Sequence, residues 1–189
     1  PMDAGGPNVS IKKCVPFLDA LSIGYMAVLD DDIYVDIENG IPFIRWRTTE
    51  SMITPHSTDQ FEGFVIPNEY HNMVSKWHNE WEINLEEGYS LFFCHPNNRL
   101  DLPFHTLSGV VDCDKYNSTV HFPFLLKKDF QGIIEAGTPV CQIIPIKRDH
   151  WKSSVEQYSE EDVYKKKRFF FKTFISSYKK NFWNKKYYE

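Results

Sequence analysis

The run LSGVVDCDKYNSTVHFPF, residues 107–124, sets two carboxylates, Asp112 and Asp114, on a polar break between two apolar stretches. Acids so placed can serve as a general base with an orienting neighbour, or hold a divalent cation. The same residues also build turns, because Asp oxygens accept nearby backbone N–H groups. Both readings stand on the residues alone. A second polar break, Pro96-Asn97-Asn98-Arg99, precedes Asp101. Arg99 and Asp101 either receive an anionic ligand or brace that turn as an ion pair. His95, His105 and His121, with Cys94 and Cys113, are metal-ligand residue types, but their spacings fit no compact ligand pattern, and the expectation is that they hold no metal.

The elements that would position these residues read as strands. Ile23–Leu29 and Ile33–Ile37 are separated by three aspartates, and Asn39-Gly40 ahead of Pro42–Arg47 is a hairpin signal, since both residues tolerate positive φ. Strand sequence returns at Trp81–Leu85, Tyr89–His95, Leu107–Val111, Ser118–Leu126 and Pro139–Arg148. Thr48–Asn79 is less regular and reads as a functional or contact excursion; within it, Asn68–Asn79 has near-helical spacing of Tyr70, Val74 and Trp77 and is expected to be a short helix. About eight short strands with no long helix between them predict an all-β sandwich or distorted barrel. At the end, Ser159-Glu-Glu-Asp162 resembles a capping box. Tyr164, Phe171, Phe174, Ile175, Tyr178 and Phe182 then follow helical spacing among lysines, predicting a basic amphipathic helix.

Composition narrows the function classes. An aromatic content of 16% favours sheet, and 189 residues give one domain with a core plus an appendage. We divide the chain into a flexible leader, 1–10, a β domain, 11–151, and a C-terminal basic aromatic helix, 152–189. From Glu160 on there are nine Lys and Arg against four Asp and Glu, while the remainder holds 12 against 22. So acidic a body is unsuited to binding nucleic acid across its surface. The four cysteines form no C-x-x-C pair and read as reduced thiols. No apolar run reaches membrane-spanning length and no signal peptide is visible, so neither membrane binding nor secretion is expected, and the sequons at Asn8 and Asn117 are discounted.

Three segments carry a family resemblance. Pro96-Asn97-Asn98-Arg99, then Gly109-Val-Val-Asp112-Cys-Asp114-Lys-Tyr116, then Gly137-Thr-Pro-Val-Cys-Gln142-Ile-Ile144 resemble, in order, motifs of the trimeric dUTPases and dCTP deaminases. The similarity covers roughly residues 80–148, with an echo at Ser22-Ile-Gly24-Tyr25. It implies that Asp112 orients an attacking water, that Tyr116 packs under a deoxyribose, that Gln142 sits in the last catalytic strand, and that Asn97, Asn98 and Arg99 face phosphate with Mg²⁺ present. The departures are specific. Asparagines replace the serine of the phosphate turn, Arg99 follows them instead of preceding, Asn117 stands where the family has Gly, and no Gly-rich arm follows. The segments IKKCVPFLDALSIGY, HPNNRLDLPF and AGTPVCQIIPIKRDHW also resemble, over nearly all of Ile11 to Trp151, a family of short proteins encoded by marine tailed phages and some bacteria that has no assigned activity.

The reading that follows is a dUTPase-like all-β fold with a C-terminal helix, in a phage-encoded, non-enzymatic protein of the host cytoplasm or virion. Its expected partners are copies of itself, as a trimer by what the dUTPase resemblance implies, and other virion proteins; no cofactor is expected. The alternative is an enzyme that binds or hydrolyses a pyrimidine deoxynucleotide with Mg²⁺.

Overall fold

The computed structural model describes residues 11, 14–165 and 177–188. These fall into two compact units, one formed by Gly24–Arg148 and one drawing on both ends of the chain, up to Ile23 and from Asp149.

The Gly24–Arg148 unit is built from eleven described strands, all paired antiparallel in three sheets. In chain order they are β1 (Tyr25–Val28), β2 (Ile33–Glu38), β3 (Ile41–Arg45), β4 (Ile53–Pro55), β5 (Tyr70–Trp77), β6 (Tyr89–Cys94), β7 (Phe104–Thr106), β8 (Gly109–Val111), β9 (Phe122–Lys127), β10 (Gly132–Ile134) and β11 (Pro139–Lys147). The sheet orders are β1-β11-β6-β8, β10-β2-β3 and β4-β5-β9-β7. All three sheets contribute to one core: Leu91, Phe93 and Ile143 from the first, Ile33, Val35 and Ile134 from the second, and Trp77, Phe122 and Phe124 from the third. The aromatic content is used there. The Trp77 ring stacks on Phe124 at 3.9 Å between centroids and meets the Phe104 edge at 5.1 Å, adding oriented ring contacts to plain area burial.

The all-β expectation holds, and the Asn39-Gly40 signal forms its hairpin: both residues have positive φ, and Glu38 pairs with Ile41 across the turn. Three expectations fail. The sequence predicts about eight strands and the described residues form eleven, because β4, β7 and β10 have three residues each, too few to show a period of two. Residues 68–79 contain the eight-residue strand β5 instead of a helix. His71, Val74, Ser75 and Trp77 are buried, the pairing with β9 shifts register between Tyr70 and Val74, and the polar His71 and Ser75 at buried positions hide the strand period. Trp81–Leu85 is not a ladder strand; it holds only the isolated bridge Glu82 to Thr119, and Trp81 is exposed.

In the second unit, an unexpected helix α1 (Val15–Ser22) has proline in its first turn, where no intrahelical N–H is required. Toward the other end, residues 160–165 are helical and Ser177–Asn181 form a short helix. The start matches the capping reading, with the Asp162 N–H donating to Ser159 Oγ at 3.2 Å. The expected continuous helix runs through 166–176, which lies outside the described residues, as does the leader at 1–10. Among the described residues, no helix is long and apolar enough to cross a membrane.

Candidate functional site

Asp112 and Asp114 leave the end of β8 on either side of Cys113, which points into the core and is 1% exposed. The backbone N–H groups of Lys115 and Tyr116 both donate to the Asp112 carbonyl at 2.9 Å, closing a tight turn. The two carboxylates converge on Arg148, just beyond β11. The guanidinium grips Asp114 with two N–H groups, Nη1 to Oδ1 at 2.9 Å and Nη2 to Oδ2, and Nη1 also lies 3.3 Å from Asp112 Oδ1. Asp114 additionally accepts the Gly88 N–H at 2.9 Å, and Asp112 accepts the Ser90 hydroxyl at 2.6 Å. Arg148 also donates to the carbonyl of Tyr89 at 2.7 Å, and its own backbone N–H donates to Gly88 O at 2.8 Å. One arginine thus ties the start of β6, the turn after β8 and the end of β11 together.

The electrostatics follow the geometry. The bonds from Arg148 come first in holding the Asp114 carboxyl down to about 2, with the Gly88 N–H helping and desolvation opposing. Its side chain is 1% exposed, so it is a satisfied internal anion and no proton acceptor at neutral pH. Asp112 differs, with 58% of its side chain exposed. Sequence reasoning missed Arg148, Ser90 and Gly88. The available signal was a Lys147-Arg148 pair closing a mostly apolar strand that follows an acidic turn in the sequence.

The second cluster surrounds the Pro96–Arg99 turn. Gln142, on β11 and fully buried, accepts the Asn97 N–H on Oε1 at 2.9 Å. Asn98 takes the left-handed conformation, with φ at 61°. Arg99 forks onto Asp101, Nε to Oδ1 at 2.9 Å and Nη2 to Oδ2 at 2.8 Å, which holds the Asp101 carboxyl down to about 2. His95 locks the same turn: Nε2 faces Arg99 O at 3.1 Å, Nδ1 accepts the Thr106 N–H at 3.2 Å, and the ring stacks on His105 at 4.7 Å. These contacts require a neutral imidazole protonated on Nε2. His121 stands apart, stacked on His78 at 4.4 Å. Among the described residues, no group of three or more His, Cys, Asp or Glu side chains is placed to hold a metal.

The expected site residues therefore divide into two sets. Asp112 lies opposite Ser90, Ser90 pairs with Ile146, and Gln142 sits four positions further along β11. That separates the two by about 13 Å along the strand. Asn97 joins Gln142, Arg99 joins Asp101, and Tyr116 is exposed on the turn after Asp112. Two cavities of this unit lie elsewhere. One, of about 330 Å³, is lined by Met26, Leu29, Met52, Trp77, His78 and Trp81 among others; the other, of about 520 Å³ and largely apolar, is lined by Tyr25, Ile83, Leu85, Tyr89 and Pro145 among others. Neither wall includes Asp112, Gln142, Asn97, Asn98, Arg99 or Tyr116.

No protein-family model and no curated protein matches this chain.

Proposed function

We propose that this chain is a non-enzymatic assembly protein, phage-encoded, whose dUTPase-like β body and C-terminal amphipathic helix, begun at Ser159, serve contacts with copies of itself and with other virion proteins. The observation that carries this reading is the outer face of the β10-β2-β3 sheet. Ile133 pairs with Tyr34, Phe43 with Asp36 and Ile41 with Glu38, so these side chains share one face. Ile41 is 67% exposed, Phe43 53% and Ile133 51%, and Arg45 and Asp36 pair among them. Aromatic and aliphatic residues so grouped on an edge-strand sheet form an interaction surface, with the ion pair setting orientation.

The polar residues support the same reading from the other side. Asp114 is neutralised internally by Arg148, Arg99 is occupied by Asp101, and Gln142 is turned inward to the Asn97 N–H. A hydrolase needs a base and phosphate donors meeting at one point. Incubating the protein with dUTP and Mg²⁺ and measuring pyrophosphate release tests the proposal. We expect no turnover above background; turnover that disappears in Asp112→Asn assigns the enzyme instead.

A further inference from the structure

Residues 177–188, SYKKNFWNKKYY, contain four lysines, five aromatics and no carboxylate. Asp19 of α1 anchors this stretch, accepting the Trp183 indole N–H at 2.8 Å and the Lys186 ammonium on one oxygen. Tyr188 is half-buried near the same anchor, while most of the other cations and rings are exposed. Lys179, Lys180 and Lys185 are exposed, as are Tyr178 at 46% and Tyr187 at 71%. The Lys179 ammonium lies 6.0 Å from the Trp183 ring centroid, and that of Lys185 lies 4.7 Å from the centroid of Tyr187. Along one short tethered segment, positive charges thus alternate with aromatic faces.

We propose that residues 178–188 form a binding surface for single-stranded nucleic acid, in which Lys179, Lys180 and Lys185 meet phosphates and Tyr178 and Tyr187 stack with bases. Lysines alone would suit any polyanion; the exposed rings between them select a chain with unpaired bases, because each base offers a face to an aromatic side chain. A bilayer is a poorer fit. The stretch has no Leu, Ile, Val or Met, and its tryptophan is bonded to Asp19, whereas insertion at a lipid interface depends on apolar area.

Fluorescence anisotropy of a labelled twenty-residue thymidine oligonucleotide, titrated with the full chain across a salt series, tests this. Binding on the order of 10 µM in low salt, weakening linearly in log–log form as salt rises, is expected. Changing Lys179, Lys180 and Lys185 together to Gln should make the slope shallower by about 2, given about 0.7 per phosphate released. Tyr187→Ala should weaken binding about tenfold at fixed salt and leave the slope alone. Unchanged circular dichroism and melting temperature in both variants would show that the fold persists. Absent binding at low salt, a slope unaltered by the triple variant, tighter binding to a duplex of equal length, or capture by vesicles of anionic lipid without oligonucleotide binding would each overturn the proposal.

Discussion

Gln142→Leu separates a structural glutamine from a catalytic one. The side chain is fully buried on β11, and Oε1 receives the Asn97 N–H at 2.9 Å. That N–H belongs to a turn whose next residue, Asn98, is already in a left-handed conformation, so the turn has little freedom to find another acceptor. Leucine occupies similar space but supplies no acceptor. Stranding a partly buried donor costs about 1–3 kcal/mol, and the added apolar surface offsets a fraction, leaving a net loss of about 2 kcal/mol. For a chain of this length, that corresponds to a melting point lower by about 4–8 °C. Urea denaturation followed by tryptophan fluorescence measures it, with the midpoint expected to fall at constant slope. Gln142→Glu sharpens the test: burial would raise the new carboxyl's pKa, so its destabilisation relative to wild type should be greater at pH 8 than at pH 5. A Gln142→Leu variant as stable as wild type would refute the bracing role.

Other perturbations probe the same framework. Gly24 has φ at 73°, and a Cβ there would lie 2.1 Å from the Ile143 carbonyl oxygen, so Gly24→Ala should cost about 2 kcal/mol or more in chemical denaturation, the combined effect of backbone strain and steric overlap. Cys14 is exposed while Cys94, Cys113 and Cys141 are buried, with burial raising the thiol pKa of each buried one; alkylation followed by intact mass should show one fast and three slow additions. Burial holds His71, His78, His95, His105 and His121 below the ordinary imidazole range. The unfolded chain therefore binds protons first, and stability should start to fall as pH drops below about 6.5. Asp101 and Asp114, held down to about 2 by Arg99 and Arg148, keep stabilising down to their ordinary value of 3.8 and lose that contribution between there and 2. An acid melt should show both stages, and stability flat from pH 7 to 5 would contradict the histidine assignment.

How far the sequence reaches is clearest at particular residues. Asn39-Gly40 was decisive because two adjacent residues with access to positive φ leave a hairpin little alternative. The strands β6, β9 and β11 were legible because each is an apolar run flanked by turn residues. β5 was not, because His71 and Ser75 sit at inward positions where the pattern requires apolar residues. Trp81–Leu85 misled in the opposite way, with strand-type composition and no continuous partner. At the site, turn chemistry identified Asp112 and Asp114, but their roles depended on Arg148, 34 residues beyond Asp114, and only the register of β11 against β6 brings it there. The motif order likewise suggested that Asp112 and Gln142 act together, whereas the strand register separates them.

We propose that the outer face of the β10-β2-β3 sheet joins copies of this chain. Multi-angle light scattering of the intact chain at micromolar concentration tests it, alongside Phe43→Asp, which replaces an exposed ring on the edge strand of that face with an unpaired charge beside Asp36 without touching the core. A defined multiple of the 22.3 kDa chain mass that falls to a folded monomer in Phe43→Asp is the predicted result. A clean monomer for the intact chain, or an oligomer that Phe43→Asp leaves unchanged, would contradict it.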